Sequence, residues 1–163
     1  MSADPPRPAV ALIGLGNRYR SDDGVGKLVA DRAALEVGLP VQPFSPADTT
    51  DLVDMWAGSD LAVVVDATRS GSSPGTVRCV ELRGGELTVP TATSSHSLGL
   101  RSALRLSRLL GTAPRRVVLI GVEGARFDHG ERLSSPVEAA VPAAVDAVVR
   151  VIRAHRPRSA AHR

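Results

Sequence analysis

The sequence predicts a doubly wound α/β/α sandwich: a mostly parallel sheet with helices on both faces and an antiparallel strand at one edge. Three observations carry this. Short apolar runs rich in β-branched residues recur at 9–15, 61–67 and 116–124, and such continuous runs belong to strands covered on both faces. Between them stand segments with apolar residues at helical spacing, and strands alternating with helices close into right-handed βαβ units. The segment GTVRCVELRGGELTVP (75–90) instead alternates with period two around Gly84-Gly85, which marks the antiparallel edge strand of a mixed sheet.

Each element has its own signal. After the first run, GVGKLVADRAALEVG places Val25, Leu28, Val29 and Ala33 on one helical stripe, and Gly38 with Pro40 stops it. SLGLRSALRLSRLLG turns Leu100, Ala103, Leu104, Leu106 and Leu110 inward and ends at Gly111, with Pro114 beyond. The last helix opens on Ser135-Pro136-Val137-Glu138, a capping-box spacing. Pro142 would remove a hydrogen bond in mid-helix at a cost of about 3 kcal/mol, so the main helix is expected to start there and run to about Arg153.

The totals bound the function. A chain of 163 residues is expected to form a single domain (1–163, with 1–7 and 155–163 as frayed termini) that buries roughly 68 to 70% of its unfolded surface. Aromatics are 2% of the chain, too few to stack bases, so no nucleic-acid partner is expected. The net charge of +3 rests almost wholly on arginine, partly in the tail RAHRPRSAAHR. The single cysteine, Cys79, makes no internal disulfide and favours a reducing, cytoplasmic compartment. No apolar run reaches membrane-spanning length, and MSADPPRPAV lacks the plan of a secretory signal.

In an open α/β sheet, ligand sites form beyond the carboxyl ends of the strands. Asp23 follows the first strand, Asp66 ends VVVDA, and His96 sits in TSSHSLGL just before a helix. Two carboxylates and an imidazole on one rim make a three-ligand metal site with open positions for water or substrate. Ordinary roles compete with this one. Ser21 or Asp22 is a natural N-cap for the first helix, and Asp23 could serve the helix dipole. Asp66 closes a run of apolar residues near the core, where a charge needs a cap, a cation or a metal. His129, His155 and His162 have weaker claims, and Arg101, Arg105 and Arg108 form a solvated helix stripe or a dock for an acidic partner. GLGNRYRSDDG lacks the third glycine of a dinucleotide fingerprint, and its two acids would repel a phosphate. No Walker pattern occurs, and no serine-hydrolase elbow stands at a strand end.

GLGNxxxxDDGxG after the first strand, VVVDA closing a later one and SSHSLGL opening a helix, in that order and spacing, resemble the hydrogenase maturation endopeptidase family; VLIGVEG (118–124) resembles its late core strand. The similarity spans roughly residues 9–152 and implies the same sandwich fold. It also implies an endopeptidase that removes the C-terminal extension of a [NiFe]-hydrogenase large-subunit precursor after nickel insertion. Recognition would go through the nickel that the substrate already holds. On the resemblance Asp23, Asp66 and His96 are the nickel-contacting residues and the best candidates for catalysis, with Asp22 capping the helix. Where relatives carry an Asp-Gly-Gly-type turn, this chain reads PFSPADTTD (43–51), with Asp48 or Asp51 as partial substitutes. The loop 124–135 is a candidate for partner selection. Two other readings stand beside this one: an amidohydrolase that holds its own zinc or manganese, and a non-enzymatic protein that docks on a hydrogenase precursor.

Overall fold

The computed structural model describes residues 9–38, 43–44, 48–82 and 95–155. The expected frayed termini lie almost wholly outside them, as does 83–90 of the edge-strand segment. The elements run β1 (Val10–Gly14), a 3-10 turn (Ser21–Gly24), α1 (Val25–Val37), β2 (Pro43–Phe44), a 3-10 turn (Thr49–Asp51) and α2 (Leu52–Met55). There follow β3 (Leu61–Thr68), β4 (Val77–Glu81), α3 (Ser95–Leu109), β5 (Arg116–Glu123) and α4 (Ser135–Ala154). The strands form one sheet in the order β2-β1-β3-β5-β4. All neighbours are parallel except β4 with β5, so the antiparallel edge stands where the period-two segment places it.

Pleat alternation divides the core in two. Leu12, Val63, Val65, Val118 and Ile120 face α1 and α4, whose contact residues include Val29, Ala33, Val141, Ala144 and Val148. Ala11, Ile13, Ala62, Val64 and Leu119 face α2 and α3 through Leu52, Trp56, Leu100, Ala103 and Leu104. The first layer, nearly all Val and Ala, lets helices approach closely. The second is filled by the fully buried Trp56.

Two helices depart from expectation. In α3 the inward stripe is Leu100, Ala103, Leu104 and Ser107, while Leu106 and Leu110 are exposed. Ser107 is inside because its hydroxyl accepts the indole N–H of Trp56 at 2.8 Å, which satisfies two buried polar groups at once. In α4 the helix starts at Ser135 and runs unbroken through Pro142. Ser134, not Ser135, is the N-cap residue, and its side chain makes no capping bond. The carbonyl that Pro142 leaves without a helical donor belongs to Glu138, which is exposed to solvent, so the interruption is tolerated.

Candidate functional site

The carboxyl ends of β1, β3 and β5 are built around buried acids: Asp22 is 0% exposed, and Asp23, Asp66 and Glu123 are each 4% exposed. The approach of α1 to these ends depends on Gly26. A Cβ there would stand 2.4 Å from the Leu15 carbonyl oxygen and 2.5 Å from that of Val65, so only glycine lets the helix start against both strands. Gly16 turns the chain back at φ +107°, and a Cβ on it would meet the Asp23 carbonyl oxygen.

Asp23 and Asp66 are thereby brought to one end of the sheet. Leu15 N–H donates to the Val65 carbonyl at 2.9 Å, in continuation of the β1–β3 ladder. The turn carrying Asp23 packs against β3, whose residue 66 follows at once. Asn17 N–H donates to Asp23 Oδ2 at 2.8 Å, and Asn17 Oδ1 accepts Tyr19 N–H at 2.9 Å, which curls the loop over the carboxylate. Ser21, at φ 51°, is the only non-glycine residue with positive φ among those described. It is held by Ser21 N–H to the Gly130 carbonyl at 2.7 Å and by its hydroxyl to the Asp128 carbonyl at 3.0 Å. A strained residue fixed this firmly beside buried acids is characteristic of a ligand site.

By pleat alternation Asp66 falls on the α2/α3 side, with Ala62 and Val64. The residues just after α3 are tied to the opposite end of the sheet, through Gly58 N–H to the Thr112 carbonyl and Arg115 N–H to the Ser59 carbonyl. Fifteen residues of helix span about 22 Å, so α3 runs back along the sheet and its first turn, which includes His96, opens toward the carboxyl ends. The side chains of 95–98 lie outside the described residues. Among the described residues no trio of His, Cys, Asp or Glu forms a metal-holding group.

Asp22 does not cap α1. The N-cap of α1 is Gly24, with no side-chain capping bond. The Asp22 carboxylate instead accepts Ala125 N–H at 2.7 Å, Arg126 N–H at 2.8 Å, Ser134 N–H at 2.7 Å and the Ser134 hydroxyl at 2.8 Å. Burial works to raise its pKa, but the hydrogen bonds from Ser134, Arg126 and Ala125 outweigh it and hold the carboxyl below its ordinary 3.8. The reason is spatial: four donors from the 125–134 loop converge on one carboxylate, while the first turn of α1 is already closed against the strand ends.

Glu123, which sequence reasoning did not single out, does the same for the loop after β3. It accepts the Thr68 hydroxyl at 2.9 Å, the Ser70 hydroxyl at 2.8 Å, Ser70 N–H at 2.8 Å and Gly71 N–H at 3.0 Å. Its pKa too is lowered, burial being outweighed by those Ser70, Thr68 and Gly71 bonds. An acid directly after a run of apolar residues was the available signal, the same one that marked Asp66. Asp48 and Asp51 bond locally, Thr50 N–H to Asp48 Oδ1 and Asp48 N–H to Asp51 Oδ2, each at 3.2 Å.

An open α/β/α sheet with buried carboxylates on the carboxyl ends of neighbouring parallel strands defines a protein of the doubly wound class, a class that binds ligands at that rim. Comparison with known proteins narrows the class. Residues 47–151 match the family described as Hydrogenase maturation protease. The chain is 32% identical over 158 residues to the hydrogenase expression/formation protein HupD of Rhizobium leguminosarum bv. viciae, covering 91% of this chain and 76% of that one. To the hydrogenase 2 maturation protease of Escherichia coli (strain K12) it is 26% identical, with 88% and 90% covered. The solved hydrogenase maturating endopeptidase HybD from E. coli superposes with a TM-score of 0.75 at 26% identity, over 88% of this chain and 91% of that one. HybD from Thermococcus kodakarensis gives 0.71 at 27% identity, over 87% and 97%. The chain belongs to the hydrogenase maturation protease family, and it is a peptidase.

Proposed function

We propose that this peptidase removes the C-terminal extension of a [NiFe]-hydrogenase large-subunit precursor after nickel insertion, and that it recognises the nickel held by that substrate through Asp23, Asp66 and His96. The observation that carries the reading is the placement of Asp23 and Asp66, nine-tenths or more buried, at the carboxyl ends of the adjacent parallel strands β1 and β3. The direction of α3, which opens its His96 turn toward the same ends, supports the third donor. Two carboxylates and an imidazole form a hard-to-borderline donor set suited to a divalent nickel whose remaining positions are taken by the substrate. Binding through that ion makes cleavage conditional on nickel insertion. The lone cysteine, Cys79, fits work in a reducing cytoplasm. Among the described residues no helix is long and apolar enough to cross a membrane.

The test mixes purified protein with nickel-loaded and nickel-free precursor and reads the mass of the precursor's C-terminus. The expected result is loss of the extension from the nickel-loaded form alone. Equal cleavage of both forms contradicts nickel recognition. A zinc or manganese ion held stoichiometrically by the purified protein favours a self-contained metallohydrolase instead.

A further inference from the structure

The buried carboxylates make the rim negative at its centre, yet arginines outnumber the exposed acids along its edge, where Asp128 is paired with Arg126 at 3.6 Å. Arg18, Arg20 and Arg69 are exposed and form no ion pair among the described residues. Two of them are stacked on rings. The Arg18 guanidinium lies 4.9 Å from the Tyr19 ring centre, and that of Arg69 lies 3.8 Å from the Phe127 ring centre.

These pairs sit on one continuous surface. Gly130 N–H donates to the Tyr19 carbonyl at 2.9 Å, and Arg20 bridges Gly130, which joins the first loop to the loop carrying Phe127. Phe127 in turn packs on Gly124, next to Glu123, and holds Arg69 from the loop after β3. Stacking orients a guanidinium and uses only its face. The N–H donors in the plane remain available for a forked bond to a carboxylate.

We propose that this arginine belt is the docking surface for an acidic stretch of the polypeptide substrate, with Arg18 and Arg69 as two preorganised carboxylate clamps. The proposal rests on the reading that a polypeptide is cleaved at the adjoining rim. Two clamps on separate loops call for two carboxylates, which acidic side chains along an extended segment supply and a single chain terminus does not. The belt also offsets the repulsion that the buried acids exert on an anionic segment approaching the rim. A nucleic acid fits less well, because its continuous phosphate charge would run across those acids.

The test is fluorescence anisotropy on the intact protein with a labelled, end-blocked peptide of alternating Glu and Gly, against the same peptide with Gln for Glu. The Glu peptide is expected to bind at least about tenfold more tightly than the Gln peptide, and Arg18→Ala with Arg69→Ala to weaken it by about tenfold or more. Arg69→Lys restores only part of the loss, since an ammonium keeps the charge without the planar fork. With nickel-loaded precursor, the double alanine variant raises KM by a larger factor than it lowers kcat. Equal binding of the two peptides, or unchanged binding by the double variant with its circular dichroism intact, overturns the proposal. Precursor cleavage without Glu-peptide binding sinks this inference alone. Glu-peptide binding without precursor cleavage sinks the assigned reaction while the clamps stand.

Discussion

The two ends of the sheet are closed in different ways. At the amino ends the connections are sealed by main-chain bonds, such as Asp60 N–H to the Ala9 carbonyl and Arg116 N–H to the Asp60 carbonyl, both near 3.0 Å. The side-chain ion pairs described there lie at the surface: Arg115 with Asp60 at 3.6 Å and Arg116 with Glu81 at 3.0 Å, with the arginines 56% and 44% exposed. At the carboxyl ends, buried carboxylates add to the main-chain bonds and gather the loops. The lesson is that buried charge is concentrated at the end of the sheet where the proposed site lies. Asp22 holds the 125–134 loop beside Asp23, and Glu123 holds the loop that follows β3, the strand carrying Asp66.

That contrast can be broken from either end. The largest effect is expected from Asp22→Ala, which strands three backbone N–H donors of the 125–134 loop and should cost about 3 to 4 kcal/mol in urea unfolding. A loss under about 1 kcal/mol would mean that the loop is held by something else. Glu123→Gln keeps the shape but removes the charge that strengthens four bonds, and a loss of about 2 kcal/mol is expected in the same measurement.

Acid sharpens the comparison further. Both carboxyls have folded pKa values lowered from their ordinary 3.8 and 4.5. The stability they contribute is therefore complete above the ordinary carboxylate range and drains away as pH falls through the lowered folded values. Unfolding free energy measured from pH 6 down to pH 3 should drop less steeply in Asp22→Asn than in the wild type. Parallel curves would show that Asp22 carries none of that dependence. The smallest effect belongs to the amino end, where Arg115→Ala should change stability by less than about 0.5 kcal/mol.

Much of the fold was legible because its signals are local. Each main strand is one continuous apolar run, and the edge strand betrayed itself by alternation. The two helix corrections came from the tertiary setting, which no local window contains: Trp56, which draws Ser107 inward, and the exposed face of α4 on which Glu138 and Pro142 lie. At the site, Asp23 and Asp66 could be placed on the rim because one follows β1 and the other stands near the end of β3. Asp22 was misassigned because its donors lie more than 100 residues away, while the adjacent helix offered a plausible local role. Glu123 was missed for the same reason, since its bonds reach back 53 residues to Ser70.

The central claim is that Asp66 meets the substrate's nickel rather than serving the fold. Its most direct test is the cleavage rate of nickel-loaded precursor by Asp66→Asn, a change of one carboxylate oxygen to an amide, with thermal unfolding followed on the same sample. Cleavage should fall by at least about a hundredfold, the upper end of what even an outer-shell partner of a metal ligand costs, in a protein that still unfolds cooperatively near the wild-type temperature. Wild-type cleavage by that variant would contradict the account.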